Sequence, residues 1–336
     1  MMVAVGACEA PPGALAPSDP EAMPEIAISA SEIAASFREE GGFLISPELE
    51  APDGEPSAVI QIAHGMAEHA GRYERLAREL VAQGWAVYAN DHRGHGRSVA
   101  EGEAPGHLGR DGFVHAAAVV RALTRRIERE HPSARRILFG HSFGSFLVER
   151  LLYTDPGLAH AAVLSASNGK PPPIAAAGRV VTRLERLRLG AEGKSKLIDA
   201  LTFKDFNRHF KPNRTDFDWI SSDEAEVDAY RDDPMCGFLL SVQTWLDLLD
   251  ALGSLTEPRN LARIPRDLPI YIFAGTKDPV GDFGRGVERL AGAYRAAGLR
   301  RVDLRLYEGG RHEMLHEKNA DEVVSDLIAW ITSVAK

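Results

Sequence analysis

The sequence predicts an α/β protein with a mostly parallel central sheet flanked by helices and interrupted by a helical insertion. Three observations carry this. From Ala58 onward, short apolar runs alternate with amphipathic stretches, the pattern of strands joined by crossover helices. That alternation stops after Leu164 and resumes at Ile270. The length of 336 residues gives room for one large domain with an insertion, or for about two domains at roughly 150 residues each.

The elements follow in order. Residues 58–62 (AVIQI) read as a buried strand, and Tyr73, Leu76, Ala77, Leu80 and Val81 then recur with the spacing of one helical face. Residues 85–89 form the next strand, and a helix over about 114–129 is closed by Pro132. Strand 136–139, helix 144–153 and strand 161–164 complete the first half. Between Asn168 and Leu261 lie a Pro171-Pro172-Pro173 run, a basic helical stretch, an acidic and aromatic loop, and an amphipathic segment over 238–252, with no convincing strand. Strand 270–274, helix 286–297, strand 302–306 and helix 321–334 resume the rhythm. The expected division is a disordered leader over 1–25, a sheet domain built from 26–167 and 262–336, and a helical insertion over 168–261.

Composition narrows the function. The charge of −9 gives no overall electrostatic grip on phosphate backbones, so nucleic acid is not an expected partner. Two cysteines, Cys8 and Cys236, make neither a disulfide framework nor a thiolate zinc cluster, which points to a reducing, cytoplasmic setting. No run approaches the roughly 20 apolar residues of a membrane span, and the Ala- and Pro-rich start lacks the basic and apolar regions of a secretory signal.

Chemistry concentrates in three loops. Gly140-His141-Ser142-Phe143-Gly144 has the form G-x-S-x-G, and an apolar strand runs into it while a helix runs out. A serine in that setting sits on a sharp turn, with its hydroxyl exposed above the sheet at a helix N-terminus. Its hydroxyl needs a base, and the base an orienting acid. Asp278 follows strand 270–274 and His312 follows strand 302–306, so Ser142, Asp278 and His312 converge on one sheet edge. Asp282 is the nearby rival acid.

His312-Glu313-Met314-Leu315-His316 also matches the H-E-x-x-H of zinc proteases. No third ligand follows at the required distance, so no metal is expected, and Glu313 and His316 are read as the first turn of the helix after the histidine loop.

Taken with residues 64–73 (HGMAEHAGRY), 91–98 (DHRGHGRS) and 309–314 (GGRHEM), these loops resemble the α/β-hydrolase superfamily, in its monoacylglycerol lipase and bacterial lysophospholipase branch. The resemblance implies an α/β-hydrolase fold, in which segment 168–261 is a cap over an acyl pocket. It implies backbone amides of Met66 and Phe143 as an oxyanion hole, Ser142, Asp278 and His312 as the triad, and His141, Glu68 and Arg72 at the polar end of the pocket. Segment 91–98 reads as loop architecture. Ser145 departs from the second glycine common after this turn. In the insertion, Phe203, Phe206, Phe210, Phe217, Trp219 and Trp245 are candidates for an acyl channel, each more simply explained by packing. The Arg-rich stretch 179–188 reads as a cap helix with a solvated basic side, or alternatively as a peripheral membrane contact.

The expected function is therefore a cofactor-free serine ester hydrolase acting on a small ester or single-chain lipid. The alternatives are acyl transfer, amide or carbamate cleavage by the same triad, and a ligand-binding receptor with little turnover.

Overall fold

The computed structural model describes residues 56–171 and 174–335. The expected leader, residues 1–25, lies outside them, as does the start of the expected sheet domain. Among these residues, six strands form one parallel sheet: β1 (Ala58–Ala63), β2 (Ala86–Ala89), β3 (Arg135–His141), β4 (Ala161–Ser165), β5 (Ile270–Gly275) and β6 (Val302–Tyr307). Their spatial order is β2-β1-β3-β4-β5-β6. β1, β4 and β5 are buried at every position, which is why they read as nearly continuous apolar runs, broken only by Gln61 in β1 and ended by Ser165 in β4, rather than as alternating ones.

Helices α1 (Glu74–Val81), α2 (Gly112–Glu130) and α3 (Phe143–Thr154) accompany the first strands, and α10 (Arg285–Ala296) and α11 (Ala320–Val334) the last. They form two cores. On one sheet face α2, α3 and α10 pack Phe113, Leu147, Leu151, Leu290 and Tyr294 against Leu138, Leu164 and Ile272. On the other, α1 and α11 pack Leu76, Leu80, Val323 and Leu327 against Ile60, Phe139 and Phe273.

Between β4 and β5 lie α4 (Ile174–Leu189), α5 (Lys196–Leu201), α6 (Phe203–Asn207), α7 (Glu224–Asp232), α8 (Val242–Leu255) and α9 (Pro258–Leu261). The start of α8 is set by its cap, where the Ser241 hydroxyl accepts from the Thr244 N–H. Among the described residues, no helix is long and apolar enough to cross a membrane.

The strand order places the site. The chain moves from β1 outward to β2 and then returns to lay β3 on β1's other side. At such a reversal the loops leaving adjacent strands diverge and open a crevice at their carboxyl ends. The two loops there carry Met66, after β1, and Ser142, after β3.

Candidate active site

Ser142 is the residue immediately beyond β3, with φ 48° and ψ −116°. A side-chain-bearing residue held there costs about 1–3 kcal/mol, and its surroundings enforce the conformation. The Ser142 N–H donates to the Ser165 carbonyl at 2.9 Å, and the Ser145 hydroxyl donates to the Ser142 carbonyl at 2.6 Å. Ser145, the departure from glycine, thus clamps the turn. A Cβ on Gly140 would lie 2.5 Å from the Gly144 carbonyl oxygen, and one on Gly144 would strike the Ala63 carbonyl at the end of β1. Both glycines are required because strand, turn and helix pass within backbone contact. Phe143 opens α3, so its N–H has no intrahelical acceptor.

The other two loops are tied together. The Lys277 N–H donates to the Gly310 carbonyl at 2.8 Å, the Thr276 N–H to Tyr307 at 2.9 Å, and the Gly309 N–H to the Thr276 hydroxyl at 2.9 Å. Across this junction Asp278 Oδ1 lies 2.9 Å from His312 Nδ1 and also accepts the Val280 N–H at 2.9 Å. Asp278 Oδ2 is buried with no hydrogen-bond partner among the described residues. Burial alone would lower the His312 pKa, but Asp278, through charge and hydrogen bond, with Glu313 and Glu68 behind it, holds it above the ordinary imidazole value. Asp282, the rival acid, instead pairs with Arg285 and Arg289.

Ser142 and His312 line one cavity of about 1080 Å³, its open mouth included. Met66, Glu68, His141 and Phe143 line it too. Arg72 and Asp278 do not; each acts on a lining residue from behind. Arg72 donates to Glu68 at 2.9 Å and forms a two-pronged pair with Glu313 at 2.8 and 2.7 Å. Glu68 also accepts from the Gly65 N–H and, at 2.9 Å, from the Tyr73 hydroxyl, so it braces the loop that carries Met66. Ala67, at φ 56°, is pinned on its carbonyl by the Tyr230 hydroxyl at 2.8 Å and the Gly237 N–H at 2.9 Å. Burial and the neighbouring His312 push His141 down to about 3, so it is a neutral ring, with Nδ1 3.1 Å from the Ser165 hydroxyl.

The H-E-x-x-H reading fails on geometry. Its spacing binds zinc only on a helix, and here only Met314–His316 form a 3-10 turn, while α11 begins at Ala320. Glu313 and His316 are therefore not the first turn of that helix. His312, Glu313 and His316 turn to Asp278, Arg72 and Glu226 respectively. Elsewhere His69, Asp233 and Cys236 bring ligand atoms within 4.8 Å of one another. His69 Nδ1 accepts the Gly71 N–H, so Nε2 carries the proton and donates it to Asp233 at 3.0 Å. Burial raises the Cys236 thiol pKa far above neutrality. The trio is a hydrogen-bonded pair beside a neutral thiol.

Asp91 accepts from the Ala70 and Arg97 N–H groups at 2.8 Å each, and the His92 N–H donates to His64 Nε2 at 3.0 Å. Segment 91–98 thereby supports the β1 loop. Of the six aromatics in the insertion, Phe203, Phe206, Trp219 and Trp245 line the cavity, whereas Phe210 lies against Arg311 and Phe217 against Tyr230. All six are packed in hydrophobic clusters, and those four also present a face to the cavity. α4 has the expected solvated basic side, with Arg183, Arg186 and Arg188 exposed; Arg186 reaches Gln243 of α8 at 2.7 Å and Arg179 and Arg183 lie near Asp250, and the apolar Val180, Leu184 and Leu187 are exposed as well, at 56%, 60% and 84%.

Residues 54–319 match the model of the family described as serine aminopeptidase, S33. The chain belongs to this α/β-hydrolase family. Within it, the chain is 32% identical over 314 residues to a monoacylglycerol lipase of Mycolicibacterium smegmatis, covering 91% of this chain and 99% of that one. It is 28% identical over 288 residues to the mouse monoglyceride lipase, covering 84% of each. In fold it is similar to a carboxyl esterase from Bacillus coagulans, with a TM-score of 0.78 at 24% identity over 85% of this chain and 93% of that one. The chain is thus an α/β-hydrolase of the monoacylglycerol lipase-like branch and a serine hydrolase of carboxylesterase type.

For this hydrolase, sequence reasoning missed the Arg72–Glu313 pair, whose partners are 241 residues apart, and the role of segment 165–168 beneath the nucleophile turn. The sequence marks Trp219 only as a cap aromatic, yet its ring centre lies 5.0 Å from that of His312.

Proposed function

We propose that this hydrolase cleaves carboxylic esters of single-chain lipids, monoacylglycerols or lysophospholipids, with Ser142, His312 and Asp278 as its triad. The observation that carries the reading is the polarity of the cavity. Ser142, His141, His312, Glu68 and Glu313 gather at one end, and Phe146, Phe203, Trp245, Leu248 and Leu252 line the rest. An acyl chain fits the apolar part while its carbonyl lies at Ser142. Segment 168–261 then serves as the cap, since it supplies most of that apolar wall, with Phe203 and Phe206 from α6 and Trp245, Leu248, Leu249 and Leu252 from α8.

In this mechanism Ser142 Oγ attacks the acyl carbonyl as His312 Nε2 takes its proton. Asp278 holds Nδ1–H and stabilises the imidazolium. The amides of Met66 and Phe143 donate to the tetrahedral oxyanion, each worth about 3 kcal/mol. Collapse breaks the ester bond, with the Nε2 proton passing to the leaving alcohol. Water, deprotonated by the same nitrogen, attacks the acyl-enzyme, and its collapse releases the fatty acid and Ser142.

Peptide cleavage from a free N-terminus, as the family's description names, requires an anionic partner for an ammonium. Glu68 and Glu313 both lie at the polar end, but Arg72 engages them both. This disfavours an acyl part that carries a free ammonium.

The test compares short p-nitrophenyl esters, monoacylglycerols, lysophospholipids and aminoacyl amides with wild type and Ser142→Ala. Lipid-ester turnover falling by at least 1000-fold in the variant, with loss of fluorophosphonate labelling, is expected. Equal labelling of both proteins would overturn the triad, and preference for the amides would overturn the substrate class.

A further inference from the structure

One buried acid has no part in the steps above. Glu149 lies seven residues beyond Ser142 on α3 and is 1% exposed, in the apolar layer between the sheet and α10. None of the described ion pairs includes it. Its Oε1 accepts the Ser167 hydroxyl at 2.6 Å, and the Tyr294 hydroxyl of α10 lies 3.4 Å from Oε2. Ser167 belongs to the short segment that leaves β4, and this segment touches the candidate site at three points. The Ser165 carbonyl accepts the Ser142 N–H at 2.9 Å. The Ser165 hydroxyl lies 3.1 Å from His141 Nδ1. The Asn168 side chain donates to the Val280 carbonyl at 2.7 Å, and the Val280 N–H in turn donates to Asp278 Oδ1 at 2.9 Å. Ala166, at φ 48°, is left-handed, so the segment is bent between these contacts.

We infer that Glu149 is a positioning residue: its carboxyl anchors segment 165–168 to α3, and through that segment fixes the Ser142 turn against the Asp278 loop. The inference rests on the triad reading above. A tether of this kind works while the carboxyl is neutral. Burial raises the Glu149 pKa to about 8, which the Ser167 and Tyr294 hydroxyls only partly oppose. Among the described residues, the groups that face it are those two hydroxyls, with no cation. Ionisation puts an uncompensated charge in an apolar layer, which is relieved by admitting water or by drawing the Ser167 and Tyr294 hydroxyls closer. Either change moves the backbone that holds Ser142.

The step gated is acylation geometry, not substrate capture, because Glu149 does not line the cavity. The experiment is a pH profile of kcat and KM on a soluble p-nitrophenyl ester for wild type, Glu149→Gln and Ser167→Ala. In wild type kcat is expected to fall above a midpoint near 8, to about a tenth of its plateau by pH 9, with KM flat. Glu149→Gln keeps an acceptor for Ser167 and cannot ionise, so it loses that alkaline limb. Ser167→Ala cuts the tether and lowers kcat about 10-fold at unchanged KM and neutral pH. An unaltered alkaline limb in Glu149→Gln overturns the inference. Should that variant fail to fold, wild-type kcat in Ser167→Ala overturns it. Turnover that survives in Ser142→Ala would instead mark failure of the triad reading.

Discussion

At the scale of single residues, the site is an exercise in holding charge without water. His312 sits between Asp278, which raises its pKa, and burial, which opposes that rise. A general base must be neutral, so kcat/KM is expected to climb with pH through a midpoint above 6.5. Glu313 contributes to that rise from the next residue along. Burial would lift the Glu313 pKa, yet the Arg72 guanidinium holds it down at about 2, so its charge persists throughout the working range. Glu313→Gln removes one raising charge and leaves Arg72 less neutralised. The acid limb should then move to lower pH, by about half a unit to one unit. A titration of kcat/KM in both proteins checks this, and an unmoved limb would mean Glu313 only braces Arg72.

At the scale of elements, α4 behaves against its own amphipathicity. A cap helix of a globular protein turns its apolar stripe inward. Here Arg179, Arg183 and Arg186 meet Asp250 and Gln243 of α8, and the stripe Val180, Leu184, Leu187 is exposed together with Leu197 and Leu201 of α5. A lipid ester must be drawn from an aggregate or bilayer, and we propose that this stripe rests on that surface. Leu184→Glu with Leu187→Glu is expected to weaken binding to phospholipid vesicles about 10-fold or more, while turnover of soluble p-nitrophenyl butyrate stays within about 2-fold. Vesicle sedimentation and a soluble-ester assay separate the two effects. Equal vesicle binding would remove the stripe from any such role. The sequence predicted this helix and its solvated basic side, with Arg183, Arg186 and Arg188 exposed, but not that the apolar stripe is exposed as well. Periodicity shows that a helix has two sides, and only the partner helix, with its own acid and amide, decides which side turns in. The strands were legible to within two residues because β1, β4 and β5 are buried throughout and apolar at nearly every position. The loops at their ends were legible because serine, acid and histidine follow strand ends in order. What stayed hidden was long-range: Arg72 with Glu313, Tyr230 on Ala67, and Ser167 on Glu149 join residues whose local sequence announces no partner.

At the scale of the whole molecule, one sheet edge organises every loop of the candidate site, and the same layer that supports it carries a latent instability. Glu149 is a carboxylic acid whose folded pKa, about 8, lies above its unfolded value near 4.5. For such a group the unfolded chain releases its proton first. Folding stability therefore declines as pH rises from about 4.5 to about 8, and levels off once the folded state also ionises. A shift of this size corresponds to several kcal/mol, a large share of the margin of an ordinary domain. Glu149→Gln lacks the titration. It is expected to be the more stable protein at pH 8.5 and to differ much less from wild type at pH 5. Chemical denaturation at both pH values measures the difference. The opposite contribution comes from Glu313, whose depressed pKa stabilises the fold above its unfolded value and is lost only as pH falls toward about 2. Because the two act in separate windows, a stability gain in Glu149→Gln confined to pH above 5 belongs to the buried acid alone. An equal gain at both pH values would mean that the amide improves packing and that the carboxyl is not neutral in the folded protein.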